Sequence, residues 1–371
     1  MEKLNVTMKD YILETPETVL KNIENSSALT NDLVHEFLKK PYSRIIIVAS
    51  GSSCNASHMA RLFMMKQLNM EVKIVTPFTF TNYEHNINKD EDFVMCISQS
   101  GCSTNTIKAL RKCRELGIPA IGLTGNVNSD FKTEADLVVD YGVGIELVGY
   151  VTKGVVTLAL FLMLFALEAN IDIKLKDRIM IEKDMKKAMT AHAEMVAAFD
   201  VLYNKHRKAF TSMTNLYTVG CGANMGTVME GALKVGETVH VPSCCYEVDE
   251  YIHGPNLQLT PNYTVIFVDG GDEAGKRAVQ AYHATRTVTD RCFIITNDPT
   301  VDEDHAIRIP SCVDELLTPL HHVVFFQLLA HTVSTELRTM PRHPLFAEYF
   351  HTKIDNKSEN YVDHHKELFE H

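Results

Sequence analysis

The sequence contains no pair of cysteines in a CxxC arrangement, although nine cysteines are distributed along its 371 residues. The number is odd, and most of these cysteines sit in apolar runs, where a thiol behaves as a small hydrophobic side chain. Disulfide frameworks and structural zinc sites depend on paired or regularly spaced cysteines. The pattern therefore argues against both and predicts a protein of the reducing cytoplasm.

A block or stripe of basic side chains is also absent, and the formal net charge is −11. Nucleic acids and anionic membrane surfaces attract proteins through clustered lysine and arginine. Neither is therefore an expected partner. A chain of this charge that binds a phosphate group has to do so locally, with dipoles aimed at the anion.

A helix that crosses a bilayer takes about 20 predominantly apolar residues. The most apolar stretch, Val155–Ala166, is shorter, and we predict it to be a buried core or subunit-interface helix. The first residues, Met1–Val6, show no apolar signal core. The sequence thus predicts neither a membrane span nor a secretion signal.

Short apolar runs alternate with helical patterns along most of the chain. Arg44–Ala49 and Asp92–Ile97 are typical of buried strands, and helical periodicity follows each one. A similar opening recurs at Asn215–Val219, which indicates an internal duplication. This alternation predicts an α/β protein with two parallel-sheet halves. The predicted boundaries are a helical leader at 1–30, a first domain at 31–170, a helical connector at 171–210, a second domain at 211–340 and a tail at 341–371.

The clearest local signal is a hydroxyl-rich turn, Ser98–Ser103, between a predicted strand and the start of a helix. Such a turn lies at the carboxyl edge of a parallel sheet, where ligands bind. Hydroxyls of Ser98, Ser100 and Ser103, with the unpaired N–H groups of the helix start, can hold a dianion there without lysine or arginine. The turn Ser50–Ser53 supplies a second set of hydroxyls. The alternative is a helix cap with a solvated turn.

A second candidate group lies in the second half of the chain. Glu230, Lys234 and Glu237 are spaced so that they share one face of a predicted helix. Farther along, His253 precedes a Gly-Pro turn that can project it into a cleft. A carboxylate and an imidazole suit the proton transfers of sugar isomerisation and ring opening. The alternatives are a solvated i,i+4 ion pair and a hydrogen-bonded surface histidine.

Metal ligation is not expected from the histidines. The adjacent pairs His321-His322 and His364-His365 do not point the same way on a helix, so neither provides a two-ligand face. No cofactor is expected either.

At these residues the sequence resembles the double sugar isomerase (SIS) domain family, which includes the isomerase half of glutamine–fructose-6-phosphate transaminase and the fructosamine-6-phosphate deglycases. The shared motifs are SQSG at Ser98–Gly101, the turn Ser50–Ser53, EGALK at Glu230–Lys234 with Glu237, and His253-Gly254-Pro255. The resemblance covers approximately residues 30 to 340. It implies two flavodoxin-like halves, each a three-layer αβα sandwich, and a homodimer or higher homo-oligomer.

The resemblance also implies roles for single residues. Glu237 would carry a proton between C1 and C2 of a sugar phosphate, and His253, which can come from the neighbouring subunit, would open the ring. Lys234, beside Glu230, would contact the sugar hydroxyls or the amine. The implied substrate-binding residues are Gly51, Ser52, Ser53, Ser98, Gln99, Ser100, Ser103 and Lys353, with Ser52 on the sugar and Ser98, Ser100 and Ser103 on the phosphate.

Three departures from the transaminase bear on function. No glutaminase domain precedes residue 30, so ammonia release from glutamine is not expected. Val151-Thr152-Lys153 stands where the transaminase has Ser-Thr-Lys, so one hydroxyl contact is lost. The tail, with Arg342–Leu345, Tyr349 and Lys353, resembles that of the deglycases. We therefore expect a fructosamine 6-phosphate deglycase, with an aldose–ketose isomerase or a synthase-like isomerase as the alternative.

A non-catalytic sugar-phosphate sensor is the remaining alternative, because SIS folds also occur in regulators. Such a sensor needs the phosphate loop but neither Glu237 nor His253, and it usually carries a DNA-binding helix-turn-helix. Residues 1–30 are too few for one, which favours the enzyme.

Overall fold

The computed structural model describes residues 6–339 and 354–362 of the chain. These residues form two compact units. Unit 1 runs to Arg178 and includes the tail segment 354–362, whereas unit 2 begins at Ile179 and runs to residue 339.

Unit 1 alternates helices with the five strands of a parallel sheet. Its strands are β1 Arg44–Ala49, β2 Glu71–Val75, β3 Asp92–Ile97, β4 Ile121–Thr124 and β5 Leu137–Asp140. Its helices are α1 Met8–Glu24, α2 Ser26–Phe37, α3 Gly51–Leu68, α4 Pro77–Asn82, α5 Thr104–Glu115, α6 Phe131–Glu134 and α7 Lys153–Ala169. The strand order is β2-β1-β3-β4-β5.

Helices cover both faces of this sheet, which explains why β3 is buried along its whole length. On one face, Ile46 and Val94 pack in one core cluster with Ile107 of α5 and Phe131 of α6. Successive strand residues point to opposite faces, and Ile47, on the other face, is equally buried. Helices α1, α2 and α3 all pack against α7. Unit 1 is therefore an αβα sandwich.

Unit 2 repeats this architecture. The long helix α8, Leu175–Thr211, begins just before the unit boundary and covers most of the predicted helical connector. The strands are β6 Leu216–Gly220, β7 Ser243–Glu247, β8 Thr264–Val268, β9 Cys292–Ile295 and β10 Ala306–Ile307. The remaining helices are α9 Met225–Val239, α10 Val248–Ile252, α11 Gly275–Arg286 and α12 Pro319–Leu337.

The two sheets have the same topology. The second sheet is parallel and has the order β7-β6-β8-β9-β10. Numbered within each unit, both sheets read 2-1-3-4-5, which is the flavodoxin-like order. The predicted fold class is thereby confirmed, and the shared order supports the internal duplication.

Two apolar helices lie in the cores of their own units. Val155–Ala166 of α7 is buried throughout, as the sequence predicts. In unit 2 the segment Glu315–Leu337 is long and apolar enough to cross a membrane, yet 83% of its most apolar window is buried inside the protein. Burial of this kind is typical of a core helix.

Candidate functional site

The turn after β3 has the geometry of an anion-binding loop. It lies at the point where the strand order of unit 1 reverses between β1 and β3, which is where flavodoxin-like folds bind ligands. Ser98 Oγ donates to Ser103 Oγ at 3.1 Å, directly before the first turn of α5. Gly101 has a φ of 63°, and a Cβ there would lie 1.8 Å from Ser129 Oγ. Only glycine fits this close turn.

A pocket of about 520 Å³ opens beside this loop, and its walls belong to unit 1. The predicted substrate-binding residues that line it are Ser52, Ser53, Ser98, Gln99, Ser100 and Ser103. The two hydroxyl-rich turns are joined directly, because Asn105 Nδ2 donates to Ser50 Oγ at 3.0 Å. Gly51, with a φ of 55°, lets the chain turn from β1 into α3. The structure thus brings both predicted turns to one cavity.

A lysine that the sequence argument missed lies at the same loop. Lys357 Nζ is 3.0 Å from Ser103 Oγ and 3.3 Å from Ser100 Oγ, and the residue lines the pocket. The structure thus places a cation at a turn for which the sequence argument counted only hydroxyls and backbone N–H groups. The predicted tail lysine, Lys353, lies outside the described residues, as do Arg342–Leu345 and Tyr349.

The tail segment holds Lys357 in place through backbone hydrogen bonds. Thr104 N donates to Asn356 O at 3.2 Å, and Ser358 N donates to Cys102 O at 2.9 Å. An antiparallel bridge pairs Ser103 with Lys357. Only the general expectation of a lysine-bearing tail pointed to this residue, since its partners are far away along the chain.

The lysine of the Val151-Thr152-Lys153 motif is buried away from solvent. Lys153 Nζ pairs with Glu14 of α1 at 2.7 Å and donates to the carbonyl of Ile145 at 3.0 Å. These contacts tie α1 to the loop before α7, and that loop lines the pocket. Lys153 therefore anchors the wall of the pocket.

In unit 2, α9 presents the predicted Glu–Lys–Glu group on one face. Lys234 Nζ lies 2.5 Å from Glu237 Oε1 and 3.4 Å from Glu230 Oε1. The lysine and Glu230 are buried, whereas the Glu237 side chain is 33% exposed. The alternative of a solvated i,i+4 pair is therefore wrong for Glu230 and Lys234.

The charge state of Lys234 follows from this packing. Burial works to lower the pKa of Lys234, but the carboxylates of Glu237 and Glu230 outweigh burial and hold the pKa above its ordinary value. The lysine is thus a fixed cation at neutral pH. It cannot serve as a base, but it can stabilise negative charge beside Glu237.

His253 follows α10 and is exposed. Its Nδ1 lies 2.6 Å from the carbonyl oxygen of Asp249. A carbonyl can only accept, so Nδ1 carries the proton and Nε2 of the neutral ring has the free lone pair. Gly254, with a φ of 152°, makes the turn that follows. The residue is thereby oriented to accept a proton at Nε2.

A second pocket, of about 330 Å³, lies at the carboxyl edge of the unit 2 sheet. The carboxylates that line it are those of Asp269, Asp272, Asp298 and Glu315. Its lysine, Lys276, is paired with Glu273 at 2.6 Å. These carboxylates would repel a phosphate, so the pocket of unit 1 is the better candidate of the two for an anion.

The adjacent histidines at the start of α12 are buried in unit 2. Burial lowers the pKa of His322 to about 3 and that of His321 well below its ordinary value, so both rings are neutral. His322 Nδ1 lies 3.2 Å from Asn224 Oδ1. Within residues 6–339 and 354–362, no three His, Cys, Asp or Glu side chains are grouped to hold a metal ion. His364 and His365 lie outside the described residues.

Comparisons with known proteins identify the relatives of this chain. Residues 38–167 match the SIS domain. The isomerizing glutamine–fructose-6-phosphate aminotransferase of Pyrobaculum aerophilum is 27% identical over 303 residues, which cover 81% of this chain and 50% of the relative. The chain spans about half the length of the curated relatives it matches.

Solved structures show the same fold. A proposed phosphosugar isomerase from Clostridium difficile 630 matches with a TM-score of 0.86 and 24% identity, covering 96% of this chain and 100% of that one. The C-terminal domain of glucosamine-fructose-6-phosphate aminotransferase from Francisella tularensis matches with a TM-score of 0.79 and 20% identity, covering 90% and 96%. The resemblance to the SIS domain family that the sequence predicted is thereby confirmed.

Proposed function

We propose that the protein is a phosphosugar-processing enzyme that cleaves fructosamine 6-phosphates into a hexose 6-phosphate and an amine. The observation that carries the proposal is the pocket at the start of α5, where serine hydroxyls and Lys357 converge. Hydrogen bonds to a charged group are worth about 1.5–3 kcal/mol each. Several such donors account for binding of a phosphate dianion by an acidic protein.

The chemistry starts from a ketosamine, which carries its amine on C1 and its carbonyl at C2. A carboxylate base removes a proton from C1 while the C2 oxygen gains a proton, which gives an enaminol. Return of the first proton to C2, with loss of the N–H proton of the amine, gives an imine. Water then adds to the imine and releases hexose 6-phosphate and the free amine. One carboxylate that both accepts and donates a proton is sufficient for the transfer from C1 to C2.

Glu237 is the proposed base, since it is the exposed member of the Glu–Lys–Glu group. Buried Glu230 serves instead to balance the charge of Lys234. The Lys234 ammonium stabilises the negative charge that develops on the enaminol oxygen. His253 opens cyclic substrates, because its Nε2 is available to accept the proton of the ring hydroxyl.

An aldose–ketose isomerase is the second candidate, favoured by the names of the relatives. The same glutamate would move a proton between C1 and C2 of fructose 6-phosphate. The two activities differ in whether an amine leaves C1. A sensor is disfavoured, because binding alone needs no buried glutamate–lysine pair next to an exposed glutamate.

We also propose that the enzyme is a cytoplasmic homodimer. All nine cysteines are free thiols in the structure, which suits a reducing compartment. The dimer rests on the family resemblance.

The deciding experiment is incubation with fructoselysine 6-phosphate, glucoselysine 6-phosphate, and fructose 6-phosphate with ammonia. Deglycase activity releases hexose 6-phosphate and lysine, both measurable by coupled assay and mass spectrometry. Glu237→Gln should abolish turnover and leave binding of fructose 6-phosphate nearly unchanged. Amino-sugar formation, or interconversion of hexose phosphates without amine release, would instead establish the isomerase. Full turnover by Glu237→Gln would refute the glutamate as base.

A further inference from the structure

Glu146 is a buried carboxylate in the wall of the phosphate pocket that the proposed chemistry does not use. Its Oε1 accepts hydrogen bonds from the backbone N–H groups of Thr152 at 2.9 Å and Lys153 at 2.6 Å. Its Oε2 accepts from the N–H of Gly154 at 3.1 Å. These N–H groups belong to the N-cap and the first turn of α7, where the helix itself supplies no acceptor. The carboxylate therefore fills the anion-binding end of that helix.

The fourth donor to Glu146 is the side chain of Gln99. Gln99 Nε2 donates to Glu146 Oε2 at 2.6 Å, and Tyr141 OH donates to Gln99 Oε1 at 2.9 Å. A carboxylate can only accept, so these two contacts define which end of the amide carries the nitrogen. Gly154 packs so closely that a Cβ would lie 2.0 Å from Gln99 Oε1. The amide is thus held on three sides, and Gln99 lines the pocket.

Helix α1 holds the loop that carries Glu146. Tyr11 OH accepts from the N–H of Leu147 at 2.9 Å, next to Glu146. Asn22 Nδ2 donates to the carbonyl of Gly142 at 3.0 Å. These contacts order the loop without a ligand, so Glu146 is preorganised.

The pocket consequently has two helix starts of opposite character. The start of α5 is lined by hydroxyls and Lys357, whereas the start of α7 is already occupied by a carboxylate. We infer that Glu146 is a positioning residue, an inference that rests on the proposed function. Glu146 orients Gln99 toward the substrate and confines the phosphoryl group to the start of α5. The pocket therefore takes a sugar with one phosphoryl group and disfavours a second anion beside α7.

The test is a double-mutant cycle on fructose 6-phosphate affinity, measured by calorimetry on the full chain. Glu146→Gln replaces one accepting oxygen by an NH₂ group, which faces the N–H donors that Glu146 binds. Affinity for fructose 6-phosphate should therefore fall about tenfold or more. Gln99→Leu should cause a comparable loss. The double variant should be no weaker than Gln99→Leu alone, because one residue acts through the other. Additive losses would overturn the inference.

Two further variants separate positioning from folding. Glu146→Ala leaves an anion hole at α7, so millimolar formate should restore part of the lost affinity. Glu168→Gln is the matched control, because Glu168 is another hydrogen-bonded carboxylate of unit 1 but does not line the pocket. Glu168 Oε1 accepts hydrogen bonds from the hydroxyls of Ser26 at 2.6 Å and Ser27 at 2.9 Å. The affinity of the Glu168→Gln variant for fructose 6-phosphate should equal that of the wild type. Absence of formate rescue, or an equal loss in Glu168→Gln, contradicts the positioning role.

Should Glu146→Gln fail to fold, Tyr141→Phe removes the other contact to Gln99 and should weaken binding in the same direction by a smaller factor. Unchanged affinity in Tyr141→Phe would then count against the inference. If the wild type binds neither fructose 6-phosphate nor inorganic phosphate, the proposed function and this inference both fail. If the wild type binds fructose 6-phosphate but the losses in the double-mutant cycle are additive, only this inference fails.

Discussion

Lys357 adds a positive charge to a loop that otherwise offers neutral donors. Its Nζ contacts two serine hydroxyls where the phosphate would bind. Lys357→Met should weaken fructose 6-phosphate binding by roughly 1.5–3 kcal/mol, since a charged hydrogen-bond donor is lost. Titration calorimetry at low and physiological salt measures this change.

Lys108 provides the control for that variant. It pairs with Asp355 of the same tail segment at 2.8 Å, but both side chains are exposed. Surface pairs contribute about 0–1 kcal/mol, so Lys108→Met should change affinity little. Equal losses in the two variants would mean that Lys357 merely anchors the tail.

Lys234 neutralises a carboxylate that has no access to solvent. The Glu230 side chain is fully buried, and its Oε1 lies 3.4 Å from Lys234 Nζ. Lys234→Met should lower the free energy of unfolding by about 3–5 kcal/mol, because it removes the cation that pairs with a buried carboxylate. Urea denaturation provides the measurement, and Glu230→Gln in the same chain should recover much of the loss. Lys276→Met, which breaks an exposed pair, should leave the free energy of unfolding nearly unchanged.

Among the elements, α9 shows how packing limits a helix that carries functional side chains. Alanine is normally preferred to glycine in a helix by about 1 kcal/mol. At Gly231, however, a Cβ would lie 2.6 Å from the ring of Phe326 on α12. Overpacking of a core costs about 1–3 kcal/mol. Gly231→Ala should therefore destabilise the protein in thermal or urea unfolding.

Gly236 on the same helix is the matched comparison. A Cβ there would come no closer than 3.6 Å to Ser243, an ordinary contact. Gly236→Ala should be neutral or stabilising by up to about 1 kcal/mol. If both variants stabilise the protein, the contact between α9 and α12 is looser than the structure shows.

The elements that sequence patterns predicted are those with a strong apolar signal. β1 and β3 are short, mainly apolar runs that the sequence predicted as buried strands. β7, with the sequence SCCYE, escaped prediction because it is an edge strand that is not fully buried along its length. The two-residue strand β10 is too short for any periodicity.

For the whole molecule, the proposed homodimer with His253 supplied by the neighbouring subunit makes a definite prediction. Glu237→Gln and His253→Ala are each expected to be inactive as homodimers. Mixing and reassembling them should restore about a quarter of wild-type activity, because half of the dimers are mixed and each has one intact site. Size-exclusion chromatography verifies the dimer, and turnover of the mixture is measured.

No recovery in a mixture that does exchange subunits would place both residues of each site in one chain. A monomer in solution would exclude the arrangement altogether. Either outcome leaves the phosphate site of unit 1 unaffected.

Local sequence patterns were enough for the α/β class, the repeated half, the serine loop and the Glu–Lys–Glu face, because each depends on neighbours within one strand, turn or helix. Tertiary structure alone decided which cations and anions meet at the pocket. Lys357 contacts Ser103, which is 254 residues away along the chain, and Glu146 contacts Gln99 across 47 residues. No local periodicity records such contacts, since they arise only when the strands pair and the tail returns to the sheet edge. Burial likewise made Lys234 a fixed cation, because desolvation and charge pairing depend on what the folded chain places around a side chain.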